Sequence, residues 1–262
     1  MLIDTGDAQI FVRAEGAGEP LIWLHGLGMS SELWRAQWPV FTPRYRCVAV
    51  DLRGFGQSSK PSAAGAYAID VLAGDIAAVI EQLALGRCHV LGTSMGGFIA
   101  QSLALARPEL CRSLVLCHTA PHMSIPADVL ATRLEALRNQ PLDEYAQLVV
   151  AQACSARASA ELRAWVASML ARNDQRAYTQ VLSEGLSGFD VRGELARLAL
   201  PTLVVVGEDD RVLPPGGGRE LARLIAGAEL VELSGVGHLG YAENPQAFNR
   251  SVLAFLDGLG RC

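Results

Sequence analysis

Lysine is almost missing from this chain: Lys60 is the only one, and every other basic side chain is arginine. The arginines therefore express a bias of the whole composition, and their number marks no phosphate site. A large excess of one charge is missing too. The net charge of -5 over 262 residues recommends neither a nucleic-acid nor an anionic-membrane partner. No apolar run approaches the roughly 20 residues that span a bilayer. The opening Met1-Leu2-Ile3-Asp4-Thr5-Gly6 has neither a basic segment nor an apolar stretch with a cleavage site, so no secretion signal is read there. Cys47, Cys88, Cys111, Cys117, Cys154 and Cys262 include no Cys-x-x-Cys pair and read as free, mostly buried thiols of a reducing compartment. The histidines lack metal-ligand spacing, and neither a metal nor a cofactor is expected. These absences predict a soluble, cytoplasmic protein for which neither a nucleic-acid nor a membrane partner is expected. The oligomeric state is not read from the sequence.

What is present is apolar: 50% of the residues are hydrophobic, enough for one large core in a chain of this length. Leu2 to Ala14 reads as an edge hairpin around Gly6-Asp7. Pro20–Leu24 and Tyr45–Val50 are unbroken apolar runs, as are Cys88–Leu91, Ser113–Cys117 and Thr202–Val206. Such runs fit strands buried on both faces. Helical spacing separates them, at Leu33–Phe41, Ile69–Leu83 and Met95–Arg107, and later at Gly216–Ile225 and Pro245–Leu259, with a last strand at Glu229–Leu233. This alternation predicts an α/β fold with a mostly parallel central sheet and helices on both faces. Between 120 and 189 no strand pattern occurs; Val129–Arg138, Leu142–Cys154, Glu161–Arg172 and Ala177–Leu186 read as amphipathic helices. The expected organisation is a core of residues 1–119 and 190–262 with a helical cap, 120–189, inserted over the carboxyl ends of the strands. Ligands bind at those ends in such sheets, and His25, Ser94 and His118 all fall there.

One stretch organises the rest. In Val90-Leu91-Gly92-Thr93-Ser94-Met95-Gly96-Gly97 an apolar strand stops at a glycine, a serine stands between small residues, and a helix begins. A serine at that tip is predicted to take a sparsely populated, positive-φ conformation that pushes its hydroxyl out of the strand. The free N–H groups and positive end of the helix point to the same spot. A serine nucleophile needs a histidine base, and the base needs a carboxylate. Past Ser94 the chain offers His118, His122 and His238, and an acidic turn, Gly207-Glu208-Asp209-Asp210, at the end of a strand. Ser234-Gly235-Val236-Gly237-His238 follows another strand, with glycines that let a histidine loop bend back.

With these motifs in this order, the chain resembles the α/β-hydrolase superfamily, in which Gly-x-Ser-x-Gly is the nucleophile elbow and the triad runs Ser, Asp, His. It is similar to small esterases, enol-lactonases of the 3-oxoadipate type and cofactor-free haloperoxidase-like serine hydrolases. The resemblance runs from His25-Gly26-Leu27-Gly28 through Asp51–Ser58 and the elbow to Gly237-His238. It implies an α/β-hydrolase fold with Ser94 as nucleophile and His238 as base. Asp210 is implied as the triad acid, because Gly207, Asp210 and Pro214 match the family's turn; Asp209 is its competitor. Some members carry the acid after the preceding core strand, but His118-Thr119-Ala120 stands there, with no carboxylate. The oxyanion hole is implied at the backbone N–H groups of Leu27 and Met95, and the wall of the pocket at Val212 and Leu239. His25 reads as a residue anchoring its turn, His118 as a possible pocket wall and His122 as a solvated cap residue.

The implied chemistry is hydrolysis of a carboxylic ester, lactone or thioester of a small, largely apolar substrate. Cleavage of a carbon-carbon bond in ring-cleavage products uses the same triad and stays open. So does a non-catalytic small-ligand-binding protein on this fold. Epoxide hydrolases and haloalkane dehalogenases carry an aspartate where this chain has Ser94. Trp165 and Met169 are further pocket candidates on a cap helix, although core packing is the more common reading at that spacing. The enol-lactonase resemblance implies a carboxylated substrate, and the cap holds Arg133, Arg138, Arg157, Arg163 and Arg172, but in a chain whose basic residues are nearly all arginine these read as solvated faces.

Overall fold

The computed structural model describes residues 1–123, 125–186 and 188–260. Its centre is an eight-stranded sheet in the order β1-β2-β4-β3-β5-β6-β7-β8. The edge hairpin β1 (Leu2–Asp4) and β2 (Gln9–Glu15) is antiparallel, and β2 joins β4 (Tyr45–Val50) antiparallel. From β4 onward, β3 (Glu19–Leu24), β5 (Cys88–Thr93), β6 (Cys111–Cys117), β7 (Thr202–Gly207) and β8 (Glu229–Leu233) are parallel to their neighbours. Every residue of β5 and β7 is buried, which is why those strands read as unbroken apolar runs rather than as alternation. The edge strand β8 is mostly exposed.

Helices bury one stripe each against this sheet. α2 (Ile69–Gln82) buries Ile69, Leu72, Ile76, Val79 and Ile80, and α10 (Pro245–Gly258) buries Phe248, Val252, Phe255 and Leu256. The helix expected over Leu33–Phe41 is instead a 3-10 turn, Ser31–Trp34, capped by Ser30, followed by the short α1 (Trp38–Phe41). Pro39 lacks the N–H that a continuous helix would donate to residue 35. α3 (Met95–Ala106) follows β5 directly, and α8 (Pro215–Leu224) lies between β7 and β8. α9 (Gly240–Glu243) is a single turn that the sequence reading did not resolve.

Between β6 and β7 lie α4 (Ala127–Asn139), α5 (Leu142–Ala153), α6 (Ala160–Ala171) and α7 (Gln175–Gln180), the last running into a π-helical turn at Val181–Gly185. The chain enters and leaves this helical segment side by side. Met123 N–H donates to Phe189 O at 2.8 Å and Val191 N–H to Pro121 O at 3.0 Å. Cys47, Cys88, Cys111, Cys117 and Cys154 are free and buried; Cys262 lies outside the described residues. No helix among the described residues is long and apolar enough to cross a membrane.

Candidate active site

Ser94 closes β5 at the point where α3 begins, with φ 53° and ψ -119°. A non-glycine residue is held in that region only when its surroundings over-determine it. Here the Ser94 N–H donates to Cys117 O at 2.9 Å, and Thr119 Oγ1 donates to Ser94 O at 3.0 Å. The tightness of the turn explains Gly96: a Cβ there would lie 2.3 Å from Leu24 O. The turn after β3 is equally close, since a Cβ on Gly26 would sit 3.2 Å from Ser94 Cβ. His25 holds that turn, with its Nε2 accepting from Leu52 N–H at 2.9 Å and its Nδ1–H donating to Gly26 O at 2.7 Å. Among the described residues, the N–H groups of Leu27 and Met95 donate to no protein acceptor.

The acid and the histidine come from the ends of β7 and β8. Asp210 is buried, whereas Asp209 is exposed. Asp210 Oδ1 accepts from the N–H groups of Val212 and Leu213, both at 2.9 Å, which fixes the carboxylate in its own turn. His238 Nδ1–H donates to Asp210 Oδ2 at 2.8 Å, so the Nε2 lone pair is left free. The glycine-rich loop that carries His238 is tied to the helical segment. His238 N–H donates to Ala153 O at 2.8 Å, and Glu243 accepts from both Gly237 N–H and Ser155 N–H at 3.0 Å. This bridging role of Glu243 had no signal in the sequence.

His118 corrects an expectation. It does not form the cavity wall; it is buried behind Asp210 at φ 47°, with Nδ1 3.5 Å from Asp210 Oδ2. Neither of its ring nitrogens has a hydrogen-bond partner among the described residues. Burial pushes its pKa down and keeps it neutral. For Asp210, burial acts to raise the pKa, but the two imidazoles facing the carboxylate, His238 first and then His118, prevail and hold it well below the usual range. The ligand atoms of His118, Asp210 and His238 lie within 4.8 Å of one another. The short Asp210–His238 separation is nevertheless that of a hydrogen bond with a proton between the atoms, not of two ligands around a metal ion.

Ser94 and His238 open into one cavity of about 230 Å³ between the sheet and the helical segment. No hydrogen bond joins Ser94 Oγ to His238 among the described residues; such contacts are often loose before substrate arrives. Leu27, Val212 and Leu239 are in the wall, and so is one face of α5, at the helical spacing Tyr145, Leu148, Val149, Gln152 and Ala153. Trp165 is not in the wall. Its ring lies against the Arg35 guanidinium, 3.7 Å from the centroid, because the α6 face that carries it turns away from the cavity. Met169 is likewise buried elsewhere. Among the arginines read as solvated, Arg138 is exposed and Arg172 pairs with Glu32 at 2.6 Å. Arg163 donates to backbone carbonyls at Ala158 and Ser155. Arg133 departs from that expectation and lines the cavity. His122 is half-buried, 3.6 Å from Glu220.

Comparison with known proteins agrees with this architecture. The sequence model of the alpha/beta hydrolase fold family matches residues 19–245. The chain is 31% identical over 239 residues to the 3-oxoadipate enol-lactonase 2 of Acinetobacter baylyi, covering 90% of this chain and 88% of that protein. It is 31% identical over 258 residues to the pimeloyl-[acyl-carrier protein] methyl ester esterase of Aeromonas hydrophila, covering 94% and 99%. The crystal structure of a hydrolase from Pseudomonas aeruginosa superposes with a TM-score of 0.90 at 31% identity, covering 98% of this chain and 97% of that one. A serine on a strained strand-to-helix turn, a β7 carboxylate paired with a β8 histidine and this breadth of similarity point one way: the chain belongs to the α/β-hydrolase fold family.

Proposed function

We propose that the protein hydrolyses a carboxylic ester, lactone or thioester of a small, largely apolar substrate through an acyl-enzyme on Ser94. The observation that carries this reading is the 2.8 Å bond from His238 Nδ1 to a buried, ionised Asp210, beside a cavity that also exposes Ser94. Relatives named as an enol-lactonase and a methyl ester esterase support the bond type.

In this account His238 Nε2 takes the Ser94 hydroxyl proton as Oγ attacks the carbonyl carbon. The imidazolium so formed is stabilised by Asp210. The carbonyl oxygen becomes an oxyanion and accepts from the unpaired Leu27 and Met95 N–H groups, aided by the positive end of α3. Collapse of the intermediate expels the alcohol or thiol, which takes the proton from His238, and leaves the acyl group on Ser94. Water then attacks with His238 again as base, and the acid departs as Ser94 recovers its proton.

Labelling tests the nucleophile directly. A fluorophosphonate reagent is expected to modify Ser94 alone, found by peptide mass mapping, and to abolish ester turnover in step with labelling. Modification of another serine with loss of turnover, or full turnover by Ser94-labelled protein, would contradict the reading.

A further inference from the structure

Buried imidazoles elsewhere in this core are bonded at both ring nitrogens. His25 engages Gly26 O and Leu52 N–H, and His89 engages Ser113 Oγ at 2.7 Å and Glu19 at 3.3 Å. His118 is as deeply buried, yet neither of its nitrogens has such a partner among the described residues. Its φ of 47° also lies in the left-handed region, which is costly for a non-glycine residue. The backbone is pinned there, because His118 N–H donates to Val205 O at 2.8 Å and so ties the end of β6 to β7. An unpaired polar ring in a strained, buried place is an exception that calls for a role.

The ring faces the acid of the site. Asp210 Oδ1 is taken by the N–H groups of Val212 and Leu213, and Oδ2 by His238 Nδ1–H at 2.8 Å. A carboxylate offers about four lone-pair sites. His118 Nδ1, 3.5 Å from the same Oδ2, stands at the one that is left. An anionic oxygen repels a nitrogen lone pair and attracts an N–H, so the neutral ring carries its proton on Nδ1. The bare Nε2 then lies against Gly240, where a Cβ would fall 2.7 Å from it. The other titratable groups around the ring are His238, with centroids 5.9 Å apart, and Tyr241 at 6.1 Å, while Glu243 acts through its charge.

We propose that His118 is a positioning residue of the triad: its Nδ1–H shares Asp210 Oδ2 with His238 and holds the carboxylate in line with the histidine base. The inference rests on the hydrolase reading of Ser94 and adds a side chain to the three that carry it. At 3.5 Å the contact is longer than a well-formed hydrogen bond, and the attraction is that of a dipole for a charge in a buried, weakly screened place. Thr119, next in the chain, donates to Ser94 O. The two residues after β6 thus hold the turn of the nucleophile and the acid together.

Two substitutions set donation against packing. His118→Asn gives up ring volume but keeps a side-chain N–H at the δ position and tolerates a positive φ. His118→Phe keeps a ring and has no N–H. With p-nitrophenyl acetate, His118→Phe is expected to lower kcat by about tenfold, the scale of one hydrogen bond to a charged group, with KM little changed. His118→Asn should retain most of the wild-type kcat. A ring needed only to fill space gives the reverse order; that order, or equal rates in the two variants, overturns the proposal.

Nuclear magnetic resonance of protein carrying isotope-labelled histidine reads the same contact without turnover. The wild type should show His118 as the Nδ1–H tautomer at neutral pH, its signals identified by their loss in His118→Asn. The Nε2–H tautomer overturns the proposal, and does so even where His118→Phe fails to fold. The His238 Nδ1–H proton should move downfield in His118→Phe, where Oδ2 accepts from one imidazole instead of two, and keep its place in His118→Asn. If the wild type cleaves no ester, the hydrolase reading has failed separately, and these resonances still decide whether His118 shares Asp210. A proton unmoved in His118→Phe contradicts it.

Discussion

At the residue scale the site separates two neighbouring carboxylates that the sequence left in competition. Asp209 and Asp210 share a turn, but only Asp210 is buried, held by two backbone N–H groups and bonded to His238. Asp210→Asn should therefore lower kcat by about ten-thousandfold, since an amide no longer fixes the histidine tautomer. Asp209→Asn should change it little, and steady-state kinetics on one ester compares the two. Equal losses would show that the turn as a whole, not one carboxylate, matters. The position of His118 was legible only in part. Its place after β6, between the strands that end at Ser94 and Asp210, was evident, but which way an imidazole turns at a positive φ was not. Arg133 shows the same limit from the other side. In a chain with one lysine its residue type carried no information, and only the packing of α4 over the cavity sets it in the wall.

At the scale of elements, the strands and long helices were readable because burial on both faces or on one stripe leaves a period in the sequence. Tyr45–Val50, buried at five of its six positions, falls where its pattern places it. The short pieces were not readable, since α1, α9 and the 3-10 turns are fixed by capping and tertiary contacts rather than by periodicity. The loop after β4 is an example. Arg53 is 2% exposed and is held by Asp75, itself 4% exposed, and by Asp7 at the surface, all at 2.7–2.9 Å. Thr5 Oγ1 donates to the same Asp75. This network joins the edge hairpin, the loop and α2. Arg53→Met strands a buried carboxylate and should cost about 3–5 kcal/mol in urea unfolding. Arg53→Met with Asp75→Leu should recover much of the loss; a double variant as unstable as the single one would contradict this account.

For the whole molecule, three buried imidazoles set how stability responds to acid. His25, His89 and His118 are each pushed below the ordinary value of 6.5, in every case chiefly by burial. The folded state keeps them neutral while the unfolded chain binds protons near that value. Unfolding is therefore favoured by protons, and stability falls as the pH drops below about 6.5 by up to roughly 1.4 kcal/mol per pH unit for each imidazole. Asp210, with its lowered pKa, acts further down: its contribution is present above the unfolded carboxylate value and fades only at strongly acid pH. Urea unfolding between pH 5 and 8 should show stability rising to near pH 7 and then levelling, with a shallower rise in His118→Asn. Asparagine accepts a positive φ better than most residues and carries no proton that titrates in this range. A flat profile in the wild type would refute the linkage.

The account stands or falls on Ser94 as the nucleophile of an ester-cleaving site. The most direct measurement is hydrolysis of p-nitrophenyl esters of increasing acyl length by wild type and Ser94→Ala side by side. The account predicts turnover by the wild type that declines as the acyl chain outgrows a cavity of about 230 Å³. In Ser94→Ala, kcat should be lower by about a millionfold. Near-full turnover in Ser94→Ala would contradict the account.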